Sequence, residues 1–211
     1  MSQQIHNPVI RQEQIAKVLD EQYAFFIQKE SGFTRHSLEL VPVVESYATI
    51  ITGIRRCGKS TLLLQLLKKK YENALYFHLE DIRLAGFETS DFSRLHEEIK
   101  QRGIKVLFFD EIQVVPKWEI FANQLLNEGY SVFITGSNAS LLSKELGTHL
   151  TGRNITMELF PFSYSEFVAF KNLEFNEESL TMYLETGGIP VYVKTKVSEL
   201  LVNLVDDILY R

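Results

Sequence analysis

Apolar positions along this chain change period twice. From Pro8 to Gln28, residues Ile10, Ile15, Val18, Leu19, Phe25 and Phe26 recur at roughly helical spacing, which predicts an N-terminal helical arm. Ser31-Gly32 interrupts the pattern, and Leu38 to Val44 reads as a short extended piece. From Tyr47 onward, compact apolar runs alternate with helical ones. Strands are predicted over 47–52, 74–79, 104–109, 130–135 and 155–159, and helices over 60–70, 92–102, 117–127 and 139–146. Gly103, Gly129 and Gly147 close three of those helices, and Lys68, Lys69 and Lys70 face the negative end of a fourth helix's dipole. Val106-Leu-Phe-Phe109 is apolar at every position, as suits a strand covered on both faces of a parallel sheet. Trp118, Phe121 and Leu125 form a helix packing face.

After Pro161 the pattern is helical again, over 164–171, 178–185 and from Lys196 to the end. Gly187-Gly188-Ile189-Pro190 reads as a helix stop and turn. Leu200, Leu201, Leu204, Ile208 and Leu209 make an apolar stripe that reaches Arg211 without a capping signal, so continuation into a lid or a following domain is expected. The prediction is an α/β fold of three layers with a parallel five-stranded sheet. Residues 1–40 are its N-terminal helical arm, 41–160 its core and 161–211 a C-terminal helical extension.

The strongest chemical signal lies between the first predicted strand and its helix. Gly53-Ile54-Arg55-Arg56-Cys57-Gly58-Lys59-Ser60 fits G-x-x-x-x-G-K-[ST] in full. Glycines at 53 and 58 let the backbone wrap closely, so that successive N–H groups point at phosphate oxygens. The following helix offers the positive end of its dipole to the same anion. Lys59 is placed to reach the β- and γ-phosphates, Ser60 to ligate Mg²⁺ and Thr61 to bond the α-phosphate. A strand, this loop and a helix are the parts expected of a P-loop NTPase fold.

Val106-Leu-Phe-Phe-Asp110-Glu111 is the second signal: an apolar strand that delivers carboxylates to the crevice where open α/β sheets bind ligands. Asp110 would hold Mg²⁺ through water, and Glu111 would polarise an attacking water as general base. At the end of the next strand, Ile134-Thr135-Gly136-Ser137-Asn138 offers neutral groups to a γ-phosphate or to that water, Ser137 first among them. A helix cap by Ser137 or Asn138 is the competing reading. Arg153 is a candidate phosphate-sensing arginine, acting within the chain or on a neighbouring subunit. Arg55 and Arg56 are cationic and close to the phosphates by sequence, or else solvated charges or ion-pair partners. Cys57, beside Arg56 and Lys59 and ahead of a helix N-terminus, lies in surroundings that lower a thiol pKa, which raises the hypothesis that alkylation blocks nucleotide binding; a small residue tolerated at a free motif position is the favoured reading.

Composition narrows the class. Lys plus Arg total 22 against 27 Asp plus Glu, a formal net charge of −5, so bulk charge does not support nucleic-acid binding. A single cysteine excludes an internal disulfide. The five histidines show no metal-ligand spacing, and no zinc site is expected. Without a secretory signal or a long apolar run, the expectation is a soluble cytoplasmic protein.

Taken in order, Thr-Gly-Ile-Arg-Arg-Cys-Gly-Lys-Ser-Thr, Phe-Phe-Asp-Glu-Ile-Gln, Ile-Thr-Gly-Ser-Asn-Ala-Ser-Leu-Leu, Leu-Thr-Gly-Arg and Gly-Gly-Ile-Pro resemble the prokaryotic AAA-type P-loop ATPases from about Ile51 to the end. The resemblance implies Walker A and Walker B motifs, ATP as the nucleotide, and a sheet order with the Asp110 strand beside the strand that precedes Lys59. It also implies a further domain beyond Arg211 that faces a substrate or partner. Base choice rests on this resemblance, because no Asn-Lys-x-Asp motif is present. The functional expectation is a Mg²⁺-dependent hydrolase acting on the ATP phosphoanhydride bond, coupled to an attached domain or protein partner, with a homo-oligomer among the expected states. The alternatives are a nucleotide-dependent switch with little hydrolysis and a small-molecule or nucleotide kinase.

Overall fold

A computed structural model describes residues 10–137, 150 and 152–209, with the backbone alone at 207–209. Five strands, β1 (Ala48–Thr52), β2 (Leu75–His78), β3 (Val106–Asp110), β4 (Ser131–Gly136) and β5 (Asn154–Glu158), form one parallel sheet in the order β2-β3-β4-β1-β5. Strands β1 to β4 are buried along nearly their whole length. Alternate residues feed opposite faces: Ile50, Phe77, Leu107, Phe109 and Ile134 go to one core, and Ile51, Tyr76, Phe108 and Phe133 to the other. That two-sided burial is why the strands read as continuous apolar runs.

Helices α1 (Gln12–Gln28), α3 (Phe92–Arg102) and α4 (Trp118–Asn127) bury their apolar stripes in the first core. On α3 the stripe is Phe92, Leu95 and Ile99, and on α4 it is Trp118, Phe121, Ala122 and Leu125, all at three- or four-residue spacing. Each such side chain is worth about 1.5–3 kcal/mol of burial. Helix α2 (Lys59–Lys70) covers the other face with Leu62, Leu63, Leu66 and Leu67. The stretch expected as an N-terminal arm is packed into the core over its described part. The Gln22 amide donates to the His78 carbonyl (3.0 Å) and accepts from the His78 N–H (2.8 Å), pairing side chain to backbone along the β2 edge.

The C-terminal segment forms α5 (Tyr164–Lys171), α6 (Glu177–Thr186), α7 (Pro190–Thr195) and α8 (Glu199–Leu209). Helix α7 was not predicted, because Gly187-Gly188-Ile189-Pro190 both ends α6 and begins the next helix, with Pro190 in its first turn. The expected extended piece at 38–44 is instead a 3₁₀ turn over His36–Leu40 followed by irregular chain. Asn138, the helix expected over 139–146, and His6 and His149 lie outside the described residues.

Candidate functional site

Strand β1 ends at Thr52, and the phosphate loop follows it directly into α2. Gly53 has φ 142°, and a Cβ there would stand 2.3 Å from the Leu159 carbonyl oxygen, so no other residue fits this crossing. Arg56 (φ 62°) and Gly58 (φ 105°) also have positive φ, the backbone alternation that turns successive N–H groups to one side. Helix α2 starts at Lys59, with Ser60 and Thr61 exposed on its first turn.

The Lys59 ammonium is buried and donates to the carbonyls of Gly53 (2.9 Å) and Ile54 (3.2 Å). It lies 3.8 Å from Glu111 Oε1. The loop lysine and the strand-tip acid, separated in sequence, therefore meet. Glu111 sits in the left-handed region (φ 56°, ψ 46°), a strained backbone for a non-glycine residue of the kind found where function sets the geometry. Its Oε2 accepts from Gln113 Nε2 (2.6 Å) and from the Ser137 backbone N–H (3.0 Å). Ser137 thus joins the cluster through its backbone.

Asp110 is 1% exposed and is held by two hydroxyls: Tyr76 OH donates to Oδ2 at 2.7 Å, and Thr135 Oγ1 donates to Oδ1. Thr135 also accepts from the Glu111 N–H at 3.1 Å, so one buried hydroxyl fixes both acids. Burial, with the Asp110 charge and hydrogen bond adding to it, pushes the Tyr76 phenol far above its ordinary pKa, so it stays a donor. Neither residue was singled out from the sequence. Thr135 lies in the polar cluster that was flagged, whereas Tyr76 reads as one more apolar position of β2.

Three expectations need correction. The Asp110 strand does not adjoin the strand that leads into Lys59: β4 lies between β1 and β3, with Ile51 beside Thr135 and Phe109 beside Ile134. Lateral order is invisible in a run of apolar strands with interchangeable edges, and the Glu111 side chain spans the extra strand. Arg153 stands just before β5, at the end of the sheet opposite the loop. There it donates to Asn123 Oδ1 (3.2 Å), Asn127 Oδ1 (2.5 Å) and the Ser46 carbonyl (3.3 Å). Five residues of strand separate the two ends, roughly 16 Å, so Arg153 does not join the site within its own chain.

Cys57 is the third. It is fully buried against the second core, and that burial raises its thiol pKa although Lys59 and Arg35 work to lower it. Maleimide labelling of this single cysteine is accordingly expected to be far slower in the native protein than in the urea-unfolded chain. Equal rates, followed by thiol titration under both conditions, would contradict the burial. Arg55 donates to Glu80 Oε1 (3.1 Å) and Oε2 (3.3 Å), and Arg56 is exposed.

The loop and Glu111 face a cavity of ≈ 580 Å³. One wall is Gly58, Lys59, Ser60, Thr61 and Glu111; the other is apolar, with Phe33, Phe162, Phe170, Pro190 and Val191, and carries Lys194. This is within the size range of about 300–1,000 Å³ typical of small-ligand sites. A glycine-framed loop between β1 and α2, with acids at the tip of a parallel strand, defines the P-loop NTPase class.

The comparisons narrow that class. A family model described as an AAA domain matches residues 45–168. The chain belongs to the prokaryotic AAA-type P-loop ATPase family. An uncharacterized protein of Methanocaldococcus jannaschii is 31% identical over 202 residues, covering 88% of this chain and 46% of that protein. An uncharacterized protein of Haemophilus influenzae is 34% identical over 161 residues, covering 70% and 40% respectively. The chain thus spans less than half the length of these curated relatives. The Walker-type ATPase of Pyrococcus abyssi shares the fold, with a TM-score of 0.53 at 20% identity over 80% of this chain and 69% of that one. Among the described residues, no helix is long and apolar enough to cross a membrane.

Proposed function

We propose that this chain binds ATP with Mg²⁺ at the phosphate loop and hydrolyses the terminal phosphoanhydride bond, passing its nucleotide state to an attached domain or protein partner. The observation that carries the reading is the meeting of Lys59 and Glu111 at 3.8 Å on the wall of a ligand-sized cavity. Loop N–H groups and Lys59 hold the phosphates, which positions the γ-phosphorus. Glu111 accepts a hydrogen bond from water; the water oxygen bonds to phosphorus as the β–γ bridging oxygen leaves with ADP, and the proton passes to Glu111. The Gln113 amide and the Ser137 N–H fix Oε2, leaving Oε1 for this work.

The donor set suits Mg²⁺, which takes few protein oxygens and keeps phosphate and water ligands. Ser60 offers a hydroxyl on the cavity wall, and each Asp110 oxygen has a lone pair left after its one hydroxyl bond. Bound there, the ion would neutralise charge on the phosphates. The apolar wall receives the base. Arg153 enters this reading only as a residue of a neighbouring copy.

The test is phosphate release from ATP with Mg²⁺, in the full chain and in a longer homologous protein. Release into water at a slow intrinsic rate is expected. Nucleotide binding with no release in either protein would favour a switch, and transfer of phosphate to an added metabolite would favour a kinase.

A further inference from the structure

Between α1 and β1 the chain crosses α2 as a strap and reaches the C-terminal helices. Within it Arg35 is 5% exposed, and its guanidinium serves three separate parts of the chain. Nη1 donates to the Cys57 carbonyl inside the phosphate loop (2.8 Å). Nη2 donates to the Phe160 carbonyl just past β5 (2.8 Å). Nε and Nη2 donate to the two carboxylate oxygens of Glu166 on α5, at 2.8 and 3.2 Å. The guanidinium carbon lies 5.0 Å from the centre of the Phe162 ring. The strap itself is pinned to α2: Gln65 Oε1 accepts from the Arg35 N–H (3.3 Å), and Gln65 Nε2 donates to the carbonyls of Ser31 (2.6 Å) and Phe33 (2.7 Å).

Glu166 is equally committed. Burial works to raise its pKa, but the Arg35 guanidinium and the backbone N–H groups of Ser163 and His36 hold the carboxyl below its ordinary value. A buried ion pair of this kind is a weak source of stability, because both ions lose their hydration and an apolar pair of similar volume would serve the fold as well. What the planar fork supplies is fixed direction among its partners. In a trans peptide the carbonyl and the N–H point opposite ways. Holding the Cys57 carbonyl therefore aims the Gly58 N–H away from Arg35, to the other side of the loop.

From Arg35 the contacts run on without a break. The Phe162 N–H donates to the Gly188 carbonyl (2.7 Å), and Tyr183 OH on α6 donates to the Phe162 carbonyl (2.9 Å). A Cβ on Gly188 would stand 2.2 Å from that same carbonyl oxygen, so the turn before α7 can lie here only with glycine at 188. Helix α7 then presents Pro190, Val191 and Lys194 to the cavity.

We infer that Arg35 is a positioning residue that couples phosphate binding at the loop to the arrangement of α5–α7. Coupling of this kind is reciprocal: helices seated on Arg35 keep the Gly58 N–H aimed, and an occupied loop holds the helices in place. The inference rests on the reading of the loop as a nucleotide site.

The test is hydrogen exchange on the full chain, with and without a non-hydrolysable ATP analogue, alongside calorimetric affinity for that analogue. In the unaltered protein the analogue is expected to slow exchange in α2 and in α5–α7. In the double variant Arg35→Met/Glu166→Leu, which leaves no unpaired buried charge, protection of α2 is retained and the response of α5–α7 is lost. Affinity then falls by roughly 5–150-fold, the usual span of such coupling. Arg35→Lys keeps the charge opposite Glu166 but not the fork, and the same loss of response is expected; it decides the matter if the double variant does not fold. Three results would overturn the coupling alone: protection of α2 without α5–α7 in the unaltered protein, an undiminished response in the variants, or looser α5–α7 helices that still respond to the analogue. Absence of protection anywhere in the unaltered protein would remove the nucleotide reading itself, and the coupling with it.

Discussion

Glu111→Gln is expected to bind ATP about as tightly as the unaltered protein and to release phosphate roughly 10²–10⁴-fold more slowly, the usual contribution of a positioned general base. The amide keeps the size of the carboxylate, and its one oxygen can still accept from Gln113 and the Ser137 N–H, where Oε2 accepts now. That leaves an NH₂ group where Oε1 stands, 3.8 Å from the Lys59 ammonium. Such a group cannot take a proton from water. Binding falls little, because Glu111 presents no donor to the phosphates. Single-turnover phosphate release beside equilibrium binding separates the two effects, and full hydrolysis by the variant would exclude Glu111 as the base.

The second large effect is on binding. On the proposed reading, Lys59→Ala removes the side chain that follows the β- and γ-phosphates from the foot of α2. Hydrogen bonds to charged groups are worth about 1.5–3 kcal/mol each, so losing two of them weakens ATP binding on the order of 100-fold or more. Stability should change much less. The carbonyls of Gly53 and Ile54 lose a donor, but Glu111 keeps its two other partners. Calorimetric titration with a non-hydrolysable analogue measures the loss, and thermal unfolding of the same sample checks that the fold survives. An unchanged affinity would mean that the phosphates bind elsewhere.

How much of this was legible beforehand depends on what carried each signal. The loop from Gly53 to Ser60 is a continuous segment whose backbone geometry demands particular residues at fixed spacing, so it can be read without a fold. The Asp110-Glu111 pair is local too, an acid pair closing an apolar strand. Strand and helix positions followed from the same short-range patterns, and the boundaries of α3 and α5 match the predicted ones. The features that were missed are long-range. Tyr76 serves Asp110 from a strand three places from the loop strand, and its hydroxyl is indistinguishable in sequence from any aromatic core position. Arg153 and Arg35 show the difficulty most clearly. Arg153 belongs to a short motif and Arg35 to none, and chain distance gave no reason to prefer the second. In the fold Arg153 lies a strand's length from the loop, while Arg35, far earlier in the chain, touches it. Cys57 failed for a related reason. Its charged neighbours in sequence suggested an electropositive thiol, but burial against Gly53 and the second core dominates its ionisation.

By itself, then, the order of residues determined the phosphate-loop motif and the acid pair at the strand tip, because such a loop is built from consecutive backbone units and their immediate neighbours. The tertiary structure alone decided the strand order, the hydroxyls that hold the acids, and the arginine that joins the loop to the C-terminal helices. Those depend on which distant surfaces pack together, and hydrophobic burial is non-directional, so a pattern of apolar positions says that surfaces are covered without saying by what.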